Sequence, residues 1–434
     1  MKENLTAYIQ GGPAPQGQVR VSGAKNAATR LLAAATIADA PVTLNNFPTE
    51  LVDARYKADF IQKCGGKVTI DEPSQTITID PTGYQHTELT DYNYPIRTTY
   101  LLAAGLLKRS GVARIPYPGG CKIGNRGYDL HTMVWQQLGA TVEEAADYIE
   151  ISAPHGLKPG EINFPTSTIG GTENALISAS TIDGETIIKN AYISPEVDCL
   201  IRFLRTLGAT IEVVGNSFVR VIGASSLRGS IFRVIPDRIE ALTWIVYGII
   251  SGGTITVEDV PFDTMEIPLI HLQHMGIDLY RNRNNVIVSP ECLVNGQIQP
   301  FELACGTHPG IISDMQPFFT LLGLHANGTS RIFDYRYPER LRYCTELNKF
   351  YGNALEFKPG AITVRGGNQP TAAEAESTDL RGSMAAVIAG LLSKGTTTIL
   401  NVEMALRGYN NMEQKLTDLG ASVFVVSTPE LVGT

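Results

Sequence analysis

A glycine-rich segment, YPGGCKIGNRG over 117–127, places a single thiol among positive charges. Cys121 is followed directly by Lys122, and Arg126 lies five residues beyond the cysteine. Neighbouring cations lower the pKa of a thiol and so raise its nucleophilicity or its fitness for proton transfer. The segment is too rich in glycine for a helix or a strand, so we predict a loop. A hinge loop with an incidental cysteine is the alternative, but it leaves the basic residues unexplained.

Basic side chains suited to bidentate contacts with phosphate or carboxylate recur along the chain. They are Lys25, Arg97, Arg126, Arg340, Arg381 and Arg407. Together they indicate a small substrate with several negative charges, although any one of them alone is more often a cap or a solvated ion pair. Among the acidic residues, Asp314 stands at the start of a predicted helix and is the leading candidate for a general base. Asp237 and Asp379 are the next candidates for the same role.

Other chemistries lack their signatures in this sequence. No GxGxxG segment stands between a strand and a helix, no GK[ST] follows a glycine-rich loop, and no GxSxG elbow is present. A dinucleotide-binding fold, a P-loop and a serine hydrolase are therefore not indicated. His271 with His274, and Cys305 with His308, are spaced permissively for a metal, but no closed ligand set accompanies them. We expect no metal site.

Charge and composition narrow the class of protein further. Lys and Arg number 35 against 43 Asp and Glu in the 434 residues, a net charge of -8, and no basic patch is long enough for a nucleic acid. The apolar stretch 244–250 is far shorter than the ~20 residues of a membrane span. The amino-terminal MKENLTAYIQGG has no apolar signal core, and the six cysteines form no CxxC pair. We expect reduced thiols in a cytoplasmic protein that binds neither nucleic acid nor membrane.

The elements that must position these residues follow an internal repeat. Six times a helix-like stretch ends at an apolar, aromatic or cysteine residue, and a glycine and a short β-prone run follow. The glycines are Gly65, Gly139, Gly208, Gly276, Gly352 and Gly420, which stand 68 to 76 residues apart. A turn and a short strand begin 23 to 28 residues before each of them. Two markers in step over six copies predict six repeated units, three in each of two similar domains.

Each unit also contains an earlier helix, rich in Ala, Leu and Ile, that opens on a polar or charged cluster such as 24–26, 313–315 or 379–381. A unit is therefore predicted to run helix, strand, helix, strand, strand. The first helices are apolar nearly all round, as 31–38 and 384–392 are, which favours burial. If they run parallel in each domain, their N-termini converge on an interdomain cleft that favours anions. That the clusters are only N-caps is the alternative.

With the repeats, the cysteine loop and the basic residues considered together, the sequence resembles the enolpyruvyl transferases over 11–425. The most specific motifs are Ser22-Gly23-Ala24-Lys25-Asn26-Ala27, Pro118-Gly119-Gly120-Cys121-Lys122-Ile123-Gly124 with Arg126 and Asp129-Leu130-His131, Ser313-Asp314-Met315-Gln316, Asp379-Leu380-Arg381 and Arg407-Gly408-Tyr409. The resemblance implies two inside-out α/β domains, each of three βαβαββ repeats, in an EPSP synthase-like prism. It implies a first domain at 25–235, with the Cys121 loop, and a second at 1–24 plus 236–434.

The resemblance also implies roles for residues that match the family motifs. Lys25, Arg126 and Arg407 would hold the phosphate and carboxylate of phosphoenolpyruvate. Cys121 would protonate the methylene of phosphoenolpyruvate as a general acid, and it can also form a covalent adduct, as in a fosfomycin target. Asp314 would accept the proton of the acceptor's 3-hydroxyl.

Further contacts with the acceptor are implied, most of them to its nucleotide. The residues are Asn26, Arg97, Arg126, Gly127, Tyr128, Asp129, Leu130, Thr168 and Arg336. Arg340 and Arg381 would support the closed site. The implied chemistry requires no metal and no organic cofactor, and the oligomeric state stays open.

The implied reaction is addition followed by elimination, with UDP-N-acetylglucosamine as the acceptor in peptidoglycan precursor synthesis. The sequence departs from the family pattern at Gly127-Tyr128, Thr166, Arg336 and Asn410, mostly on the nucleotide side. Enolpyruvyl transfer to another nucleotide, such as UMP in a nucleoside-antibiotic pathway, is therefore an alternative. A non-catalytic nucleotide-binding paralogue is an alternative of another class. The shikimate 3-phosphate branch is disfavoured because it lacks the Gly-Gly-Cys loop.

Overall fold

A computed structural model of the chain describes residues 4–119 and 127–428. Its helices are α1 (Lys25–Ala35), α2 (Val52–Lys63), α3 (Ala103–Ser110), α4 (Asp129–Gln137), α5 (Ile169–Ala179), α6 (Pro195–Leu207), α7 (Arg238–Ser251), α8 (Glu266–His274), α9 (Gln316–His325), α10 (Arg342–Tyr351), α11 (Leu380–Leu392), α12 (Glu403–Leu406) and α13 (Met412–Asp418). Short 3-10 turns add Thr98–Leu102, Phe262–Thr264, Pro290–Cys292 and Ser313–Met315. Within those two ranges no helix is long and apolar enough to cross a membrane.

The strands are short, and most of them alternate buried and exposed residues. They are β1 (Asn4–Gly11), β2 (Gln16–Arg20), β3 (Val42–Asn45), β4 (Lys67–Asp71), β5 (Thr76–Asp80), β6 (Val112–Pro116), β7 (Thr141–Glu144), β8 (Tyr148–Ser152), β9 (Glu161–Thr168), β10 (Glu185–Ala191), β11 (Thr210–Val214), β12 (Phe218–Ile222), β13 (Ser230–Arg233), β14 (Thr254–Glu258), β15 (Tyr280–Arg281), β16 (Val286–Val288), β17 (Glu302–Gly306), β18 (Ile311–Ile312), β19 (Thr329–Asp334), β20 (Leu355–Lys358), β21 (Ala361–Arg365), β22 (Glu374–Glu376), β23 (Gly395–Leu400) and β24 (Ser422–Thr428). Alternation of this kind is typical of sheets with one face on a core.

The helices and strands form six similar α/β repeats, each built on its own sheet. The strand orders are β13-β3-β5-β4, β6-β8-β7, β11-β12-β10-β9, β22-β23-β1-β24, β15-β16-β14-β2 and β18-β17-β19-β21-β20. In five of these sheets a strand pairs in parallel with the strand that follows the first helix of the repeat, as β9 pairs with β10 and β13 with β3. The remaining pairings are largely antiparallel. The arrangement confirms the predicted α/β class, and in five of the six sheets the described residues show the full βαβαββ repeat.

The chain divides into two compact units. The first unit comprises 23–119 and 127–235 and contains the sheets of β3, β6 and β10. The second unit comprises 4–22 and 236–428 and contains the sheets of β1, β14 and β19. Each unit has one continuous hydrophobic core. The first helices of the repeats lie within these cores, and in α11 every residue from 381 to 391 is buried, which confirms the prediction made from their apolar surfaces.

The six repeated glycines have the role that their spacing predicts. The helices α2, α4, α6, α8, α10 and α13 each end one or two residues before one of them. All six glycines have positive φ, between 59° and 122°. A left-handed residue after the last helical turn caps the free carbonyl groups of the helix, and glycine adopts that conformation without steric cost. The six regularly spaced glycines therefore mark the C-terminal ends of six corresponding helices.

Candidate active site

Lys25 lies at the start of α1 in the first unit. The preceding Ala24 is extended and donates its N–H to the carbonyl of Ile235 over 2.7 Å, which fixes the chain where the helix begins. The Nζ of Lys25 lies 2.9 Å from Oδ2 of Asp53, in the first turn of α2, and the two side chains are only 11% and 12% exposed. The pair places an ammonium group at a helix N-terminus, where negative charge on a ligand is favoured.

A second layer of charges lies beneath this pair in the same unit. Lys57, fully buried on α2, donates from Nζ to the carbonyl of Thr29. Arg30 Nε lies 3.0 and 3.1 Å from the two carboxylate oxygens of Glu173, which is 1% exposed. Burial, and then the charge of Arg30, hold the pKa of Lys57 well below its ordinary value. Burial raises the pKa of Glu173, against the opposing effect of Arg30. The start of α1 is thus held by charged residues as well as by apolar packing.

Arg97 and the residues that begin α4 lie together in the first unit. Arg97 Nη2 donates to the carbonyl of Gly127 over 2.7 Å. The Tyr128 hydroxyl donates to Glu144 Oε1 over 2.6 Å, a bond that with partial burial raises the pKa of Tyr128 to about 12. Asp129 is exposed in the first turn of α4, and Leu130 is half-buried beside it. Four of the predicted nucleotide contacts, 127–130, are therefore anchored by Arg97 at one end of a helix.

Aromatic rings surround Tyr128. Its ring centroid lies 6.0 Å from that of Tyr117 and 6.3 Å from that of Tyr100. Tyr100 in turn lies 4.4 Å from the imidazole of His131. The Tyr117 hydroxyl donates a hydrogen bond to the carbonyl of Ala145 over 2.7 Å. Tyr128 is therefore held between other rings and its hydrogen bond to Glu144.

Thr168 and Asn26 stand at the starts of two buried helices of the first unit. Thr168 caps α5, since its Oγ1 accepts from the N–H of Gly171 over 3.2 Å. Thr172 donates from its hydroxyl to the carbonyl of Thr168 over 2.6 Å. Asn26, half-buried in the first turn of α1, accepts from Arg30 Nη1 at 3.5 Å. Thr166, two residues before Thr168, is exposed.

His131 makes the stability of the first unit depend on pH. Burial, with a smaller effect of the Arg97 charge, lowers its pKa to about 3. The unfolded chain binds a proton at this residue near pH 6.5, whereas the folded protein resists protonation down to about pH 3. The neutral side chain therefore contributes stability above pH 6.5, and the contribution is lost as pH falls from there towards 3.

We expect the free energy of unfolding to fall by about 2 kcal/mol from pH 7 to pH 5 because of His131 alone. Urea unfolding at both values measures this cost in the wild type and in His131→Phe, which keeps a ring against Tyr100. The variant should lose about 2 kcal/mol less than the wild type over the same interval. His155→Phe is the control, because it replaces an exposed histidine of the same unit and should lose as much unfolding free energy between the two pH values as the wild type. An equal loss in the wild type and His131→Phe would contradict the prediction.

In the second unit, Asp314 lies in the 3-10 turn Ser313–Met315 that leads into α9. Arg340 donates from Nη1 to Asp314 Oδ1 and to the carbonyl of Ser313, each over 2.8 Å, and from Nη2 to Asp379 Oδ1 over 2.5 Å. Burial alone would lower the pKa of Arg340, but the charges of Asp379 and Asp314 outweigh burial and raise it. Arg340 is only 3% exposed, whereas Asp314 is 30% exposed. The buried Arg340 thus holds the Asp314 carboxylate, which remains accessible from solvent.

Arg381 lies against the same carboxylate. Its Nε is 4.0 Å from Asp314 Oδ2, and its Nη2 is 3.7 Å from Asp237 Oδ2. The guanidinium group lies 5.0 Å from the ring centroid of Tyr409, and Nη1 donates to the carbonyl of Gly408 over 3.2 Å. Burial would lower the pKa of Arg381, but Tyr409, Asp237 and Asp314 together raise it. Arg381 therefore keeps its positive charge beside Asp314 although it is only 1% exposed.

Three helix N-termini meet at this cluster in the second unit. Asp237 caps α7 through the N–H groups of Ile239 and Glu240, at 2.8 and 3.1 Å. Asp379 caps α11 in the same way, and Asp314 precedes α9. Since Arg340 and Arg381 bridge these three carboxylates, the contacts confirm that the N-termini of the buried helices converge within this unit. The N-cap interpretation also holds for Asp237 and Asp379.

Arg407 and Arg336 lie on segments tied to this cluster. Arg407 follows α12 directly and is half-buried, with Nη1 3.8 Å from Met404 Sδ. The next residue, Gly408, provides the carbonyl that binds Arg381. Arg336 is half-buried and donates its N–H to Asp334 over 3.0 Å, four residues before Arg340. Cys121 and Arg126 lie outside the described residues.

Sequence reasoning missed three residues that support the predicted ones. Asp53 pairs with Lys25, Lys57 lies beneath that pair, and Asp334 binds the first residue of the Asp314 turn and the residue that follows the turn. A signal for the first two existed: they are an acid and a base four residues apart on the buried stripe that Phe60 and Ile61 continue. For a metal, the described ranges contain no group of three or more His, Cys, Asp or Glu side chains arranged to hold one.

Comparison with known proteins gives extended matches. The sequence model of the family described as EPSP synthase (3-phosphoshikimate 1-carboxyvinyltransferase) matches residues 9–416. A UDP-N-acetylglucosamine 1-carboxyvinyltransferase of Trichlorobacter lovleyi is 35% identical over 424 residues, which cover 97% of this chain and 99% of that protein. UDP-N-acetylglucosamine 1-carboxyvinyltransferase 2 of Streptococcus thermophilus is 32% identical over 421 residues, 96% and 98% of the two chains.

A solved structure extends the match to three dimensions. The enolpyruvyl transferase NikO from Streptomyces tendae superposes with a TM-score of 0.88 at 25% identity and covers 98% of this chain and 100% of its own. Sequence and structure thus agree over nearly the whole length of the chain. On this basis the chain belongs to the enolpyruvyl (1-carboxyvinyl) transferases of the EPSP synthase family.

Proposed function

We propose that this chain transfers the enolpyruvyl group of phosphoenolpyruvate to the 3-hydroxyl of UDP-N-acetylglucosamine and releases phosphate, in cytoplasmic peptidoglycan precursor synthesis. The observation that supports this acceptor is the identity of 32% and 35%, over at least 96% of the chain, with two transferases named for it. The two compact units correspond in this proposal to the two domains of the fold, and no cofactor takes part.

Asp314 is the proposed base. Its carboxylate has Arg340 Nη1 on Oδ1 and Arg381 Nε 4.0 Å from Oδ2, and because it is 30% exposed a substrate hydroxyl can reach it from the solvent side. As Asp314 takes the proton of the hydroxyl, the oxygen bonds to C2 of phosphoenolpyruvate and a proton is added to C3, which gives a tetrahedral phosphate ketal. Loss of a proton from C3 and of phosphate from C2 then restores the double bond in the product.

The cations are proposed to hold the anionic substrate. Lys25, at the N-terminus of α1, would bind phosphoenolpyruvate together with Arg126 and Arg407, and Cys121 would deliver the proton to C3. Positive charge that is in place before reaction stabilises negative charge that develops in the transition state. Arg381 and Arg340 would keep the Asp314 turn in position. Asn26, Arg97, Thr168 and 127–130 would contact the nucleotide, with Arg336 on the acceptor side.

A second acceptor is supported by the aromatic surroundings of Tyr128. That residue is fixed by Glu144 and two tyrosine rings, and it departs from the family pattern on the nucleotide side. Thr166 is exposed where the family usually has a basic residue near the diphosphate. A nucleotide with fewer phosphate groups, such as UMP, fits these changes.

Phosphate release from phosphoenolpyruvate, measured with four acceptors, tests both candidates. The acceptors are UDP-N-acetylglucosamine, UDP-glucose, UMP and shikimate 3-phosphate, each with Cys121→Ser as a control. We expect release with UDP-N-acetylglucosamine and strongly reduced release by the variant. Release with UMP alone would replace the first candidate by the second. Calorimetric binding of a nucleotide without phosphate release from any mixture would identify a non-catalytic binding protein.

A further inference from the structure

Asp334 is a buried carboxylate that the mechanism above does not use. It is the last residue of β19 and is 2% exposed. Its Oδ1 accepts from the Ser313 hydroxyl at 3.0 Å and from the N–H groups of Arg336 and Tyr337 at 3.0 and 2.8 Å. Its Oδ2 accepts from Gln316 Nε2 at 2.9 Å. A buried charge bound by four donors requires each of them to stay in place, because a lost bond exposes the charge to an apolar interior.

These donors come from two segments that both end at the candidate base. Ser313 is the first residue of the turn that contains Asp314, and Gln316 directly follows that turn. Arg336 and Tyr337 begin the loop that leads to Arg340. Asp334 therefore binds the turn through side chains and the loop through main-chain N–H groups.

The loop and the turn meet again at the ion pair itself. Arg340 Nη1 is 2.8 Å from the carboxylate of Asp314 and 2.8 Å from the carbonyl of Ser313. The position of the guanidinium group relative to Asp314 therefore depends on the distance between the loop and the turn. Asp334 fixes that distance from the buried side, since Ser313 contacts both Asp334 and Arg340.

Gln316 extends the restraint into α9 and α10. Its Oε1 accepts from the Tyr343 hydroxyl at 2.9 Å, and that hydroxyl also contacts Thr320 Oγ1 at 2.9 Å. An ionised carboxylate can only accept, so Asp334 determines which way the Gln316 amide faces. The network thereby fixes the first turn of α9 against α10.

We propose that Asp334 is a positioning residue for enolpyruvyl transfer, which holds the Asp314 turn and the Arg340 loop at the separation that the reaction needs. The inference rests on the proposed role of Asp314 as the base. Asp334 does not touch the reacting atoms in this account. A displacement of the base by about 1 Å lowers a rate by up to about a hundredfold, so the contribution is to kcat and not to phosphoenolpyruvate binding.

Single-hydroxyl variants test the proposal without emptying the buried network. Ser313→Ala removes one bond to Asp334, and Tyr343→Phe releases Gln316. Asp334→Asn keeps an acceptor for three donors, and its amide can bond to a reoriented Gln316, so it removes the charge and reverses the Gln316 amide while the size of the side chain stays the same. Tyr351→Phe is the matched control in the same unit, since it also removes one buried hydroxyl, which contacts His325 at 3.1 Å.

We expect Ser313→Ala and Asp334→Asn to lower kcat by about tenfold while KM for phosphoenolpyruvate stays within about twofold. Tyr343→Phe should lower kcat by a smaller factor. Tyr351→Phe should keep kcat within about twofold even where its melting temperature falls as far as that of Ser313→Ala. Phosphate release with the acceptor that the wild type uses, together with thermal melts, gives these quantities.

The outcomes separate the positioning role from the proposed function. An active wild type with unchanged kcat in Ser313→Ala and Asp334→Asn overturns the positioning role alone. A loss of kcat in Tyr351→Phe equal to that in Ser313→Ala overturns it too, because the effect is then one of general stability. Absence of phosphate release by the wild type with every acceptor overturns the proposed function and the positioning role together.

Discussion

Replacing Asp314 by Asn is expected to lower kcat for phosphate release by about a thousandfold, the usual loss when a general base is removed. Asn has the same shape and keeps an oxygen that accepts from Arg340 Nη1, so the 2.8 Å contact survives. What it loses is the capacity to take the proton of the acceptor hydroxyl. KM for phosphoenolpyruvate should change little, because the proposed phosphate ligands are elsewhere. Steady-state rates at saturating acceptor measure both constants.

Glu302→Gln is the matched control for Asp314→Asn. Glu302 is an exposed carboxylate of the same unit, paired loosely with Arg331 at 3.7 Å. The control removes one negative charge from the unit without touching the Asp314 turn, and its kcat should equal that of the wild type. A kcat for Asp314→Asn within tenfold of the wild-type value would remove Asp314 from the role of base.

The second large effect is on stability. Arg340→Met is expected to lower the free energy of unfolding of the second unit by about 3–5 kcal/mol, the cost of leaving a buried charge without its partner. Asp379, 6% exposed, loses its 2.5 Å ion pair, whereas Asp314 is 30% exposed and can turn towards water. Met fills the space of the arginine stem but supplies no donor. Most of the cost therefore comes from Asp379.

Urea unfolding of Arg340→Met and Arg331→Met separates burial from charge. Arg331 is 63% exposed, and its partner Glu302 is 62% exposed, so the loss of this pair should cost no more than about 0.5 kcal/mol. Both variants remove one arginine from the same unit. Similar losses in the two variants would mean that the buried cluster around Arg340 contributes no more than a surface ion pair.

The repeat and the element types could be predicted because they are local properties of the sequence. Gly65 and Gly420, like the four glycines between them, mark helix ends by a backbone conformation that other residues rarely adopt. The apolar composition of 384–392 likewise determines the burial of α11 without reference to any other segment. Positions of polar clusters at helix starts followed from the same pattern. These features need no knowledge of which repeat packs on which.

The partners within the candidate site could not be predicted, because they join residues that are far apart in the sequence. Asp334 meets Ser313 across 21 residues, and Arg340 meets Asp379 across 39. Nothing in the strand sequence TSRIFD distinguishes a terminal aspartate that binds four donors from one that faces water. The sequence signal for Lys57 was only its position four residues after Asp53 on the stripe that Phe60 and Ile61 continue; a lysine on a helix is normally solvated, and the fold shows that this one is fully buried. The roles of Cys121 and Arg126 stay predictions.

The pairing of β1 and β2 sets an order of events during synthesis of the chain. β2 pairs with β14, and β1 lies between β23 and β24, with Tyr8 opposite Phe424. β1 and β2 therefore leave the ribosome before their partners, since β14 begins at residue 254, β23 at residue 395 and β24 at residue 422. In the meantime the strands from β3 to β13 can complete every sheet of the first unit among themselves. Vectorial synthesis thus favours completion of the first unit first, and the second unit closes only when β1 and β2 can pair with β14, β23 and β24.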